Sequence, residues 1–107
     1  MKDIVTINKR FADGTTVNES SLLFALEQAN TSSSWLRSCA YLVRAVLIDH
    51  VFDEGNKRTA AGIIVGFFQE QQFAFHPERV AETITVILKG NITSITTIER
   101  LIKHAIV

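Results

Sequence analysis

Residues 41–68 read YLVRAVLIDHVFDEGNKRTAAGIIVGFF. Two apolar blocks enclose the ten residues Asp49-His50-Val51-Phe52-Asp53-Glu54-Gly55-Asn56-Lys57-Arg58, of which seven are charged, amide or imidazole. The first block belongs to a stretch, Ser34 to Asp49, that is apolar around nearly a full helical turn. Its Arg37, Tyr41 and Arg44 share one narrow stripe, and a helix with so little polar surface is a central one. The second block continues the pattern from Lys57 to Gln72, with Ala60 to Phe68 all apolar or small. Two buried helices joined by a polar turn therefore form the centre of the fold.

Working outward, Thr31-Ser32-Ser33-Ser34 reads as a loop ending in a helix N-cap. Before it, Leu22, Leu23, Leu26 and Ala29 take helical spacing over about Ser20 to Ala29. At the other end, Pro77 suits the first turn of a helix that buries Val80, Ile84, Ile87 and Leu88 and stops at Gly90. A last helix from about Ser94 presents Ile95, Ile98, Leu101, Ile102, Ala105 and Ile106 on one face. Ile4-Val5-Thr6-Ile7 is β-prone, and Asp13-Gly14 between Phe11-Ala12 and Thr15-Thr16-Val17 suits a tight turn, so a short hairpin is expected there. The expected fold is mainly all-α: five helices with a small N-terminal β-hairpin.

The chain's 107 residues fit a single domain, 1–107, and its 47% hydrophobic and 21% charged content is ordinary for a globular protein. Eleven basic residues balance eleven acidic ones, which argues against a protein that coats nucleic acid or a membrane surface. The single cysteine, Cys39, excludes an intrachain disulfide and a cysteine-rich metal finger, and suits a reducing compartment. Met1-Lys2-Asp3-Ile4-Val5 lacks the apolar stretch of a leader, and no run approaches the roughly 20 apolar residues of a membrane span. A cytoplasmic protein is expected, with no nucleic-acid or membrane partner.

An interhelical turn needs a cap and a glycine, not the density of chemistry at residues 49–58. Gly55 permits a left-handed backbone, and Asn56-Lys57-Arg58 then opens a helix. The N–H groups of such a helix start, with two cations beside them, make an anion site suited to phosphates. Glu54 offers a carboxylate able to hold Mg2+ against those phosphates, and His50 an imidazole able to act as a general base. Taken singly, His50 is a surface or capping histidine, Glu54 and Asp53 solvated acids, and Lys57 and Arg58 surface charges. Phe52 is core in either case and anchors the turn. Together, a base, a metal carboxylate and a phosphate cradle point to group transfer from a nucleotide.

The run His50-x-Phe52-x-Glu54-Gly55-Asn56-Lys57-Arg58 resembles the Fic/Doc signature H-x-F-x-[D/E]-G-N-x-R at all six specified positions. Lys57 and the following Arg58-Thr59-Ala60 resemble the Doc (death-on-curing toxin) branch, and the likeness extends over about residues 18–107. The resemblance implies a compact helical fold that transfers part of ATP, with Mg2+, to a protein hydroxyl. It implies that His50 is the general base, Glu54 the magnesium ligand, Gly55 and Asn56 the anion-hole segment, and Arg58 a phosphate-binding arginine. It also implies that a hairpin flap beside the site holds the target peptide, which makes the hairpin at Asp13-Gly14 the candidate.

Most nucleotidyl-transferring members carry glycine where this chain has Lys57 and a second arginine where it has Ala61. Both departures resemble Doc, which transfers the γ-phosphate to elongation factor Tu, although Gly55 stands where that toxin is expected to have alanine. The resemblance thus implies a kinase acting on a hydroxyl of a target such as a translation factor, with Lys57 and Arg58 joining His50 in catalysis. A Fic-type transfer of AMP and a non-catalytic binding module are the alternatives. The inhibitory pattern [S/T]-x-x-x-E-[G/N] is absent: Leu23 precedes Glu27 and Ile95 precedes Glu99 at the required spacing. Restraint is therefore expected from an antitoxin acting in trans through a helix or disordered tail.

Overall fold

The computed structural model describes residues 4–107; Met1, Lys2 and Asp3, within the segment read above as lacking a leader, lie outside the described residues. The chain is all-α, with helices α1 (Ile4–Asn8), α2 (Glu19–Thr31), α3 (Trp35–Leu47), α4 (Asn56–Glu70), α5 (Pro77–Gly90) and α6 (Ile95–Lys103). No helix among the described residues is long and apolar enough to cross a membrane.

Helix α3 is the axis of the fold. Cys39, Ala40, Leu42, Val43 and Val46 are completely buried, and α2, α4, α5 and α6 all pack on it. Burial pushes the Cys39 thiol pKa far up, so this cysteine is a core residue rather than a nucleophile. The polar stripe foreseen on α3 finds partners. Arg37 pairs with Glu99 at 3.3 Å, Arg44 donates to the Thr93 carbonyl at 3.1 Å, and its guanidinium lies 5.1 Å from the Tyr41 ring centroid.

Helix α2 is capped by Asn18, α3 by Ser34 and α6 by Ser94, each through a side-chain oxygen. On α2 the buried face is Leu22, Ala25 and Ala29, whereas Leu23 is 58% exposed, contrary to the face expected from spacing. The small residues let α3 come close enough for Ser38 Oγ to donate to the Ala29 carbonyl at 2.8 Å. Gly90 is the last residue of α5, and the left-handed cap falls on Asn91 at φ 45°. After α6 the chain turns back, so that Phe75 and Ile106 form an antiparallel bridge.

The expected N-terminal hairpin does not form. The β-prone residues Ile4–Asn8 are helical, burying Ile4, Ile7 and Asn8, and α1 packs against α4. The burial of this face overrides local β-preference. Asp13-Gly14 does make a turn: Gly14 has φ 79°, and Asp13 accepts from the Thr15 N–H at 3.0 Å. This N–H, and then the Thr15 hydroxyl, hold the Asp13 carboxyl below its ordinary pKa. The extended segment that follows pairs with residues 51–53 instead of with the chain before the turn, through an antiparallel bridge between Thr16 and Phe52.

Contact between α1 and α4 depends on Gly62, where an added Cβ would sit 2.7 Å from Ile7 Cγ2. That methyl is branched from the β-carbon and has little freedom to move. Overpacking typically costs about 1–3 kcal/mol, while alanine gains about 1 kcal/mol of helix propensity over glycine. Gly62→Ala is thus expected to destabilise by about 1 kcal/mol net, read as a lower urea midpoint at unchanged slope.

Candidate functional site

Helix α3 ends at Leu47, and three residues later His50 adopts a left-handed conformation, φ 53°. That geometry costs a non-glycine residue roughly 1–2 kcal/mol. It turns the chain so that Val51 and Phe52 enter the core fully buried while His50 stays exposed. Burying a phenylalanine stabilises by about 3–5 kcal/mol as judged by truncation, which outweighs the strain. Phe52 thus occupies the buried position expected of an anchor.

The loop is then closed by side chains. Asn56 Oδ1 accepts from the Phe52 N–H at 3.1 Å, and Asn56 Nδ2 donates to the Phe52 carbonyl at 2.8 Å. The Asn56 side chain, a candidate nucleotide ligand by sequence, is therefore engaged inward, leaving its backbone N–H for a ligand. Gly55 follows the loop at φ 76°, and an added Cβ would lie 3.2 Å from both Ala12 Cβ and Asn8 Nδ2. Conformation and space both require glycine here.

Gly55 is the N-cap of α4 and supplies no side-chain cap, unlike the caps of α2, α3 and α6. The N–H groups of Asn56, Lys57 and Arg58 lack intrahelical acceptors, and the helix dipole favours an anion beside them. An open cleft of about 440 Å³ lies at this end, lined by Phe11, Leu47, His50, Asp53, Glu54, Gly55, Asn56, Lys57, Arg58 and Leu88. The structure thus brings His50, Glu54, Gly55, Asn56, Lys57 and Arg58 to one cavity. Among the described residues, the side chains of His50, Glu54, Lys57 and Arg58 have no hydrogen-bond or ion-pair partner.

A second cavity, a groove of about 430 Å³ between α4 and α5, shares Lys57 and Arg58 with the cleft. Beyond those two cations it is lined by Ala61, Val65, Phe75, Pro77, Val80, Ala81, Ile84 and Thr85. Two cations therefore stand where the two cavities meet, with the other charged and amide side chains on the cleft's side and only apolar residues and Thr85 along the groove.

Two residues that the sequence reading passed over hold this site. Asn8, fully buried, donates from Nδ2 to the Glu54 carbonyl at 2.9 Å and to Thr59 Oγ1 at 3.0 Å, and its Oδ1 accepts from the Gly14 N–H at 2.9 Å. Asn18 donates from Nδ2 to the Asp49 carbonyl at 2.7 Å. The available signals were an amide on the same helical face as Ile4 and Ile7, and an asparagine placed to cap α2.

Comparison with protein-family models, curated proteins and solved structures gives no match. Among the described residues no group of three or more His, Cys, Asp or Glu side chains is arranged to hold a metal ion. A divalent ion bound at Glu54 would take most of its ligands from phosphate and water, as Mg2+ commonly does.

Replacing Asn8 with alanine removes the partners of a carbonyl, a hydroxyl and an N–H together. Unpaired buried groups cost about 1–3 kcal/mol each, with some relief where solvent enters. Asn8→Ala is expected to lose about 3 kcal/mol in denaturant unfolding, with the Gly14 and Thr59 amides the first to gain hydrogen exchange.

Proposed function

We propose that the chain is a Doc-like phosphotransferase that moves the γ-phosphate of ATP to a hydroxyl of a protein target, such as a translation factor. The observation that carries this reading is how the lining of the two adjoining cavities differs. Two cations and the uncapped start of α4 lie at the cleft end, and the groove beyond them is lined by apolar residues and Thr85. In AMP transfer the α-phosphate occupies the anion site, and the β- and γ-phosphates need cations further along α4. That path meets Ala61 and Val65. With the γ-phosphate at the anion site, the charged end of ATP stays beside Lys57 and Arg58, and the apolar groove suits its nucleoside end.

In the proposed reaction His50 takes the proton of the target hydroxyl as its oxygen attacks the γ-phosphorus. The bond from that phosphorus to the β-phosphate bridging oxygen breaks, and ADP leaves with the electron pair. Lys57, Arg58 and the N–H groups opening α4 stabilise the charge on the transferred phosphoryl oxygens. Glu54 is the residue that would hold Mg2+, which when bound neutralises phosphate charge. An antitoxin partner acting in trans belongs to the same proposal, since the chain lacks the inhibitory pattern described above.

The test is incubation of the full chain with Mg2+ and a translation extract, using ATP labelled at either the α or the γ position. Protein-bound γ label is expected, falling about 10²–10⁴-fold in His50→Ala, as for loss of a positioned base. Deposition of the α label would replace phosphoryl transfer with AMP transfer, and no label of either kind would leave a binding module. Lys57→Gly, which removes a cation from the junction of the cavities, is expected to lower γ transfer and to admit some α label.

A further inference from the structure

His50 is one of three non-glycine residues among those described with positive φ, and the only one of them lining the cleft. Its conformation is bracketed by Asn18 and its neighbour Val17. Asn18 Nδ2 donates to the carbonyl of Asp49 at 2.7 Å, and the Asn18 backbone N–H donates to the carbonyl of Val51 at 3.3 Å. The first bond fixes the peptide plane before His50, and the second, with Val17 N–H at 2.8 Å, fixes the plane after Val51. Strained backbone persists where its surroundings over-determine it.

We infer that Asn18 is a positioning residue that acts through His50. Its amide hydrogens lock the left-handed backbone that aims the imidazole into the cleft. The kinetic part of this inference rests on the proposed role of His50 as base; the conformational part does not.

Asn18 also has an ordinary structural duty, because its Oδ1 accepts from the Ser21 N–H at 3.4 Å and caps α2. The two duties belong to different atoms of one side chain, so they can be separated. Aspartate is as good an N-cap as asparagine, and its charge suits a helix start. It has no N–H to offer the Asp49 carbonyl. Serine likewise keeps a capping oxygen, and it adds no charge beside that carbonyl.

Asn18→Asp and Asn18→Ser are to be compared with wild type in the full chain. The measurements are thermal melting, the backbone shifts and HN–Hα coupling of His50 by NMR, and transfer kinetics with labelled ATP. The expected result is near-wild-type melting in both variants, with loss of the positive-φ signature at His50. Turnover is expected to fall about 10²-fold, as for a reacting group displaced by an ångström, with KM for ATP unchanged. A cap-only role predicts wild-type shifts and turnover in both variants, and that result overturns the inference. Should wild type transfer no label, the phosphotransferase reading fails while the NMR comparison still decides whether Asn18 sets the His50 backbone.

Discussion

The amide group of Asn8 gives one hydrogen to the Glu54 carbonyl and the other to Thr59 Oγ1, while its oxygen takes the Gly14 N–H. The linker between α3 and α4 has no helical ladder of its own, and buried main-chain polar groups must find partners. Beyond the last turn of α3, most of them come from residues 8–18. Asn18 takes the Asp49 carbonyl, Val17 and Asn18 the Val51 carbonyl, the Thr15 carbonyl the Asp53 N–H, and Asn8 the Glu54 carbonyl. Asn56 answers both main-chain groups of Phe52. The linker is thus held by its backbone from one flank, which leaves the side chains of His50, Glu54, Lys57 and Arg58 free on the other. A site built this way has the rigidity of a scaffold without drawing on its reactive groups for support.

The helices were legible in the sequence because their signals are local. Ser34, Pro77 and Ser94 mark helix starts through capping chemistry, and the apolar content of α3 and α4 follows from a position surrounded by other helices. The cleft residues were legible for the same reason, since all but three of them lie in the run 50–58. What escaped the reading was long-range. Ile4-Val5-Thr6-Ile7 has real β-preference, and only contact with α4, tens of residues away, makes it a helix. The spacing of Ile4, Ile7 and Asn8 does fit one helical face, but a five-residue element offers too little periodicity to outweigh composition. Asp13-Gly14 turns the chain as expected, yet a turn signal says nothing about which segment its outgoing arm will pair with. Here the arm pairs with the Phe52 segment, so the extended piece beside the site belongs to the support of the loop.

Several features of the loop run against local stability. His50 and Gly55 are both left-handed, α4 starts without a side-chain cap, and two cations stand together without carboxylate partners among the described residues. Elsewhere the same chain caps α2, α3 and α6 with Asn18, Ser34 and Ser94, opens α5 with a proline, and pairs Arg37 with Glu99. Left-handed residues and an uncapped helix start also occur outside the cleft, at Gln72, Asn91 and α5, but among the described residues only at the cleft do they coincide with two unpaired cations.

Electrostatics then decides how such a site can bind. With eleven positive and eleven negative residues the chain has no net field to draw an anion from a distance. Lys57 and Arg58 are exposed, and their attraction is screened within about 8 Å at physiological salt. Asp53 and Glu54 line the same cleft and oppose them. A simple anion therefore gains little from charge alone. The N–H groups at the start of α4 act at hydrogen-bond range, where salt screens poorly, and they reward an acceptor in one position only. Glu54 becomes favourable rather than repulsive when a cation accompanies the anion. On the proposed phosphotransferase reading, the ligand would be a polyanion carrying its own divalent ion, with an apolar end for the adjoining groove, as magnesium-bound ATP has.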